Sequence, residues 1–232
     1  MSTPQKRRIL IMPPGALPSM EMLHVNDPVE TKTIELFLYG PVTEESCMKL
    51  TFELREADHN LDPGGHVVLR IQSNGGHAMC ALFVVDTIRE MSHDVHTIVD
   101  GWAASAATII SVAGTKGKRS IHAHSKMLLH NPRMILDSSQ GTVTLEKEDL
   151  ESHIENMESM KKSITDVYTT YTDLKGRTLT DVLEKGAWLN VDQALKYNLV
   201  DSVSIASSRS IHMKNSITPH RRVPSGFVEY QK

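Results

Sequence analysis

Short apolar runs alternate with longer amphipathic segments over the middle of this 232-residue chain. Three runs typical of β-strands are each followed by a segment in which apolar positions recur with a helical period. The strands are predicted at residues 34–39, 67–71 and 95–99, and the helices at 44–57, 76–91 and 103–113. Such alternation predicts βαβ units and a largely parallel sheet. Two further short strands are predicted at 119–122 and 127–129.

A long helix is predicted over residues 146–173, where apolar positions recur every three or four residues. At about 1.5 Å per residue this helix would be ~40 Å long, which is more than a compact domain of this size covers. We therefore expect part of it to project from the domain and to pack on another subunit. A long helix flanked by solvent is the alternative interpretation.

The two ends of the chain lack these patterns. Residues 1–33 and 205–232 contain scattered Pro, Met, Ser, Arg and His, and we expect both to be flexible around one domain at 34–204. With 40% hydrophobic residues and a formal charge of −3, the chain has the composition of a globular protein with no broad basic face for nucleic acid or an anionic membrane.

The sequence contains little that indicates a signal peptide, a membrane span or a disulfide. The N-terminal apolar segment is too short for a signal peptide, and the longest uncharged stretch is too short to span a bilayer. Cys47 and Cys80 lie in predicted helices without a CxxC pair, so we expect reduced thiols. These features together predict a cytoplasmic protein.

A serine stands where the third predicted strand turns into a helix, within Asp100-Gly-Trp-Ala-Ala-Ser-Ala-Ala-Thr108. Small neighbours of Ser105 let a substrate approach the backbone closely, and N–H groups in the first turn of a helix have no intrahelical acceptor. If the Ser105 Oγ attacks a carbonyl carbon, the N–H of Ala106 is a natural donor to the resulting oxyanion. A tightly packed helix start with a serine cap is the alternative.

Two more features follow predicted strands. Ser73-Asn-Gly-Gly76 opens the second helix and can offer further backbone N–H groups, although a Gly-Gly pair alone indicates only a tight turn. His130 ends a short apolar strand, and an imidazole, with an ordinary pKa of about 6.5, suits the base that a serine nucleophile needs. The chain has 12 histidines, so position alone does not single out His130. Parallel sheets place sites at the carboxyl ends of their strands.

Together these motifs resemble the proteolytic subunit of the Clp protease, a family of serine peptidases. Residues 101–107 resemble its nucleophile motif, residues 73–76 its oxyanion turn, and Met127-Leu-Leu-His-Asn-Pro132 its histidine motif. The spacings between the three motifs also agree with that family. The similarity extends from about residue 34 to residue 203 and includes the segments 114–119 and 194–201.

The resemblance implies an α/β fold of the Clp protease and crotonase type, with repeated ββα units, a mostly parallel sheet and a long projecting helix that mediates oligomerisation. It implies Ser105 as nucleophile, His130 as general base and acid, and the N–H groups of Gly76 and Ala106 as the oxyanion hole, with no metal and no cofactor. It also implies self-association into a heptameric ring or double ring, with an AAA+ unfoldase as a possible partner and unfolded protein or peptide as substrate.

The chain departs from the family in three places. Asn74 stands where the family usually has proline, and the segment between His130 and the long helix is longer and poorer in glycine. The family has an aspartate, the third triad member, at the end of the helix over 178–185, and counting along that helix gives Lys185. Counting back from Trp188 makes Glu184 the candidate carboxylate. Asp181, one turn earlier, is the second candidate for this carboxylate.

The leading hypothesis is therefore a serine endopeptidase that hydrolyses unfolded polypeptides through an acyl-enzyme inside an oligomeric chamber. The alternative is a catalytically weak or inactive ring subunit or assembly protein, which Lys185 at the expected carboxylate position favours. A third possibility is an acyl-CoA enzyme of the related crotonase fold, which shares an oxyanion hole of two N–H groups but uses carboxylates instead of a Ser-His pair.

Overall fold

The computed structural model describes residues 32–133 and 146–204, so the expectations for residues 1–31 and 205–232 lie outside it. The described residues form a mixed α/β fold with a seven-stranded sheet. The strands are β1 Thr33–Tyr39, β2 His66–Ser73, β3 Asp94–Ala104, β4 Ser120–His122, β5 Lys126–Leu128, β6 Trp188–Leu189 and β7 Ser202–Ser204. The helices are α1 Glu44–Asn60, α2 Ala78–Glu90, α3 Ala106–Val112, α4 Lys147–Tyr171, α5 Gly176–Lys185 and α6 Val191–Lys196. The predicted fold class is confirmed.

The sheet is mostly parallel. Its main path runs β1-β2-β3-β4-β7 with parallel pairing throughout, while β5 pairs parallel with β3 and antiparallel with β6. The ends of β2 and β3 meet where Ser73 pairs with Ala103. Both candidate motifs at these strand ends therefore lie at one edge of the sheet, where parallel sheets place their sites.

One face of the sheet forms the core and the other is polar. In β2 buried and half-buried residues alternate strictly, and Val67, Leu69 and Ile71 are fully buried. On the opposite face Arg70 pairs with Asp100, and the Asp100 carboxylate also accepts a hydrogen bond of 2.7 Å from the Tyr39 hydroxyl. The period of two along each strand separates these two faces.

Helix α4 has 25 residues and is about 37 Å long at 1.5 Å per residue. Its buried residues Ile164, Val167 and Tyr168 all lie in its second half. In the first half, Leu150 and Ile154 are 45% and 50% exposed. The first half therefore projects beyond the core of its own chain, as the sequence predicts.

Strand β3 is longer than predicted. It continues to Ala104, and α3 begins only at Ala106. Residues 102–104 pair with residues 126–128 of β5, so a ladder of backbone hydrogen bonds extends the strand into the alanine-rich segment. As a result, Ser105 is the single residue between a strand and a helix.

Arg119 is a charged residue in the core, with 1% of its side chain exposed. Its guanidinium donates to both carboxylate oxygens of Asp201, at 2.9 and 2.6 Å. It also donates to Asn198 Oδ1 and to the carbonyl oxygens of Tyr171 and Val112. Burial alone would raise the pKa of Asp201, but the hydrogen bonds from Arg119 outweigh it and leave that pKa below its usual value. Arg119 thus joins α3, the end of α4 and the start of β7.

Cys47 and Cys80 form no disulfide in the part of the chain that the structure describes. Burial, and to a smaller extent the neighbouring Cys80, raises the pKa of Cys47 to about 11. Within the same residues no group of three or more His, Cys, Asp or Glu side chains is arranged to hold a metal ion. None of the described helices is both long and apolar enough to cross a membrane.

Candidate active site

Ser105 occupies a strained turn between β3 and α3, with φ of 56° and ψ of −126°. A positive φ is uncommon for any residue other than glycine and persists only where neighbouring structure enforces it. The Ser105 N–H donates to the Leu128 carbonyl at 2.8 Å, and the Ser105 carbonyl accepts from the Thr108 N–H at 2.9 Å. Strand β5 and helix α3 therefore hold the turn from both sides.

A hydrogen-bonded chain links this turn to the long helix. The Thr108 hydroxyl donates to the Ser105 carbonyl at 2.6 Å, so in its 2.5 Å contact with the Tyr168 hydroxyl, Tyr168 must be the donor. Burial raises the pKa of Tyr168 above its ordinary value, against a smaller lowering by Thr108. The phenol therefore keeps its proton, and α4 takes part in fixing the turn at Ser105.

Gly75 and Gly76 are packed between Ser105 and Val42. A Cβ on Gly75 would lie 2.4 Å from the Ala104 carbonyl oxygen and 2.7 Å from the Ser105 Cβ. A Cβ on Gly76 would lie 2.2 Å from the Val42 carbonyl oxygen. Both glycines have positive φ, 83° and 151°. Only glycine fits this turn at either position.

Within the part of the chain that the structure describes, the N–H groups of Gly76 and Ala106 remain available to a ligand. Around the glycine turn, Val42 donates to the Gly75 carbonyl and accepts from the His77 N–H. Neither the Gly76 N–H nor the Ala106 N–H donates to a carbonyl of residues 32–133 or 146–204. Two unused N–H groups beside a serine hydroxyl are what a developing oxyanion requires.

Substitution of Gly75 by alanine should lower kcat/KM about 100-fold, because the added methyl group must displace the Ser105 turn and displacements of about 1 Å have effects of this size. Hydrolysis of a fluorogenic peptide by the purified variant measures this. Gly117→Ala is the matched control, since Gly117 also has a positive φ but none of the described residues has an atom within 4 Å of the position that its Cβ would take. A Gly75→Ala protein as active as the Gly117→Ala protein would contradict the prediction.

His130 follows β5, whose Leu128 pairs with Ala104. Its Nδ1 lies 2.5 Å from the carbonyl oxygen of Asn131. Because a carbonyl oxygen only accepts, Nδ1 carries the hydrogen, and Nε2 of the neutral ring is left to accept a proton. The Asn131 N–H in turn donates to the Leu183 carbonyl at 3.1 Å, which ties this segment to α5.

Ser105, His130, Gly76 and Ala106 line one cavity of about 750 Å³. Its opposite wall is a face of α4 that includes Met157. The structure therefore brings together the four residues that the sequence suggests for the nucleophile, the base and the oxyanion hole. Their catalytic roles stay predictions.

Glu184 and Asp181, the two carboxylates suggested for the third position, are exposed on α5. No hydrogen bond or ion pair joins either of them to His130 among the contacts of the described residues. The residue that ends α5 nevertheless lies close to His130, since a Cβ on Gly186 would be 3.5 Å from the His130 Cβ. The assignment of Glu184 stays a prediction.

Sequence reasoning missed the contacts that orient the site. The Asn131 carbonyl is a backbone group, and no residue type signals it. The Tyr168–Thr108 contact joins residues far apart in the sequence. The tyrosine at position 168 of the predicted long helix is only a partial signal for this contact. The hydroxyl of a buried tyrosine usually finds a partner, but the sequence does not show which partner.

Comparison with known proteins shows the family of the chain. A family model described as Clp protease matches residues 25–207. The chain belongs to the Clp protease family.

Three relatives of this Clp protease family member illustrate the degree of similarity. The ATP-dependent Clp protease proteolytic subunit 1 of Chlamydia muridarum is 28% identical over 191 residues, which cover 81% of this chain and 96% of the relative. The corresponding protein of Chlamydia caviae is 29% identical over 192 residues, with the same coverage of 81% and 96%. The ATP-dependent Clp protease proteolytic subunit of Bacteroides fragilis is 31% identical over 173 residues, which cover 73% of this chain and 78% of the relative.

The family model spans every strand and helix from β1 to β7 in this Clp protease family member. The resemblance inferred from the three motifs is therefore confirmed at the level of the family. Family membership implies a peptidase.

Proposed function

We propose that the chain is a serine endopeptidase of the Clp type that hydrolyses unfolded polypeptides. The observation that carries the proposal is that Ser105 and His130 line one cavity with two N–H groups that have no carbonyl partner among the described residues. A serine hydroxyl is a weak nucleophile until an adjacent base takes its proton. An imidazole with a free Nε2 supplies that base.

In the proposed reaction His130 Nε2 takes the proton of Ser105 Oγ while Oγ bonds to the scissile carbonyl carbon. The carbonyl oxygen becomes an oxyanion and accepts hydrogen bonds from the N–H groups of Gly76 and Ala106. The imidazolium then donates its proton to the leaving amine as the peptide bond breaks, which leaves an acyl-enzyme. Water, deprotonated by the same imidazole, hydrolyses this ester and restores Ser105.

The size of the cavity supports an unfolded substrate. A volume of about 750 Å³ accommodates a few side chains of an extended peptide but not a folded domain. The relatives named above are proteolytic subunits of ATP-dependent Clp proteases, and we include a ring assembly and an AAA+ unfoldase in the proposal. The exposed apolar side chains of Leu150 and Ile154 on α4 support self-association.

The full-length protein should cleave a fluorescently labelled, chemically unfolded protein and leave the same protein intact in its native form. Size-exclusion chromatography before the assay establishes which oligomer is measured. Equal cleavage of both forms would contradict the requirement for an unfolded chain. Absence of cleavage from any oligomer would favour the second candidate function.

That second candidate is a ring subunit without efficient catalysis. It is favoured by Lys185, which is the residue that counting along α5 gives for the family's aspartate, and by the lack of contact between Glu184 and His130 among the described residues. Without a carboxylate the imidazolium loses electrostatic stabilisation, and disabling this group in a related triad lowers turnover by about 10⁴. The chain would then contribute its fold to an assembly whose other subunits catalyse.

Substitution of Glu184 by glutamine should change kcat/KM by less than about threefold, because the Nδ1 hydrogen of His130 goes to the Asn131 carbonyl and not to Glu184. Lys185→Asp should raise kcat/KM about tenfold, since it replaces a cation by an anion at the end of the helix that touches His130. Peptide hydrolysis under first-order conditions measures both, with Glu158→Gln as the control, because Glu158 is exposed on α4 and does not line the cavity. A loss of about 1000-fold or more in Glu184→Gln would instead identify Glu184 as the third triad member.

A further inference from the structure

We infer that the cavity around Ser105 selects peptides that carry a carboxylate next to an apolar residue, and that Arg133 recognises this carboxylate. The inference rests on the proposed function, whose substrate class it narrows. In addition to His130, the cavity wall contains Arg133, His77 and His153. No Asp or Glu lines the cavity among residues 32–133 and 146–204.

Arg133 provides the permanent charge. It lies three residues after His130, is exposed, and has its Nη2 at 4.0 Å from the position that a Cβ on Gly186 would take. No ion pair involves Arg133 within the described part of the chain. A guanidinium stays charged at all relevant pH values and binds a carboxylate through two parallel N–H donors.

Two further features of the wall favour an anion. His77 is the N-cap of the 13-residue helix α2, which has no acidic residue in its first turn. The partial positive charge of this helix N-terminus therefore faces the cavity without a carboxylate from its own first turn. His153, on the α4 side, offers a ring N–H to an oxygen ligand. Both features add to the charge of Arg133.

The remaining wall is apolar. Ile109 on α3 and Met157, Met160 and Ile164 on α4 line the cavity together. These side chains form a surface for an aliphatic substrate residue, and methionine adapts readily to irregular shapes. A peptide with leucine beside glutamate therefore matches both parts of the wall.

The test uses two sets of three peptides, each with a central leucine. Within a set the peptides differ only in the residue next to the leucine, which is Glu, Gln or Lys. This variable residue precedes the leucine in one set and follows it in the other. Fluorescence anisotropy measures their binding to the full-length Ser105→Ala protein, which does not turn them over. Hydrolysis by the unsubstituted protein is measured in parallel. We expect affinity to fall in the order Glu, Gln, Lys, with about a tenfold difference between Glu and Lys in at least one set.

Arg133→Gln should reduce this difference to less than twofold, and Arg133→Lys should retain part of it. Arg177→Gln is the matched control, because Arg177 is exposed on α5 and does not line the cavity. Equal binding of the Glu and Lys peptides, or a preference that survives Arg133→Gln, would overturn the inference. A charge preference in binding without any hydrolysis by the unsubstituted protein would support the inference and contradict the proposed function.

Discussion

Ser105→Ala removes peptide hydrolysis, with kcat falling by about 10⁶-fold, the loss seen when the nucleophile of a comparable serine peptidase is deleted. The physical reason is that no other hydroxyl occupies the strained turn between β3 and α3. His130→Ala should cause a loss of similar size. Because the two groups act as one unit, the double variant should be no slower than either single variant.

Ser159→Ala is the matched control, since Ser159 is an exposed serine of α4 that does not line the cavity. Steady-state hydrolysis of a fluorogenic peptide provides the measurement, with circular dichroism as a check that each variant is folded. A Ser105→Ala protein that keeps more than about one per cent of the activity would show that another residue attacks the substrate.

Arg119→Ala should lower the free energy of unfolding by about 3–5 kcal/mol, which is the usual cost of removing one partner of a buried ion pair. The substitution leaves the Asp201 carboxylate without the hydrogen bonds that offset its burial, and it leaves the carbonyl oxygens of Tyr171 and Val112 without this donor. Urea unfolding measures the effect. Arg55→Ala is the control, because Arg55 is 57% exposed in its pair with Glu90, and such pairs contribute about 1 kcal/mol or less.

The ion pair between Arg119 and Asp201 also predicts that the free energy of unfolding depends on pH. In the folded protein the pKa of Asp201 lies below its ordinary value, which is about 3.9 in an unfolded chain. Its contribution to stability is therefore complete above about pH 4 and is lost as the pH falls through the lower, folded pKa. The stability difference between the unsubstituted protein and Arg119→Ala should shrink in that acidic range. A difference below 1 kcal/mol at neutral pH would contradict this account of Arg119.

The regular elements could be predicted because their patterns are local. The strands expected at 67–71 and 95–99 lie inside β2 and β3, and the helix expected over 146–173 is observed at Lys147–Tyr171. The end of β3 could not be predicted, because residues 102–104 are kept in the strand by pairing with β5, more than twenty positions later in the chain. Alanine-rich sequence on its own favours a helix there.

Part of the candidate site could likewise be predicted from the sequence, and part of it could not. Gly76, Ser105 and His130 could be proposed as neighbours because each follows a strand of a predicted parallel sheet, and the resemblance of three motifs to the Clp protease family selected them from the other glycines, serines and histidines. The acceptor of the His130 Nδ1 hydrogen could not, because the Asn131 carbonyl is a group that every residue carries. Glu184 was chosen by counting positions, and counting does not show which way a side chain on α5 points.

The central claim is that the hydroxyl of Ser105 reacts because the imidazole of His130 accepts its proton. Mass-spectrometric mapping of the adduct formed with an activated fluorophosphonate tests this directly. The account predicts a single adduct, on the peptide that contains Ser105, in the unsubstituted protein and no adduct at that residue in His130→Ala. An adduct on a different residue, or equal labelling of Ser105 with and without His130, would contradict it.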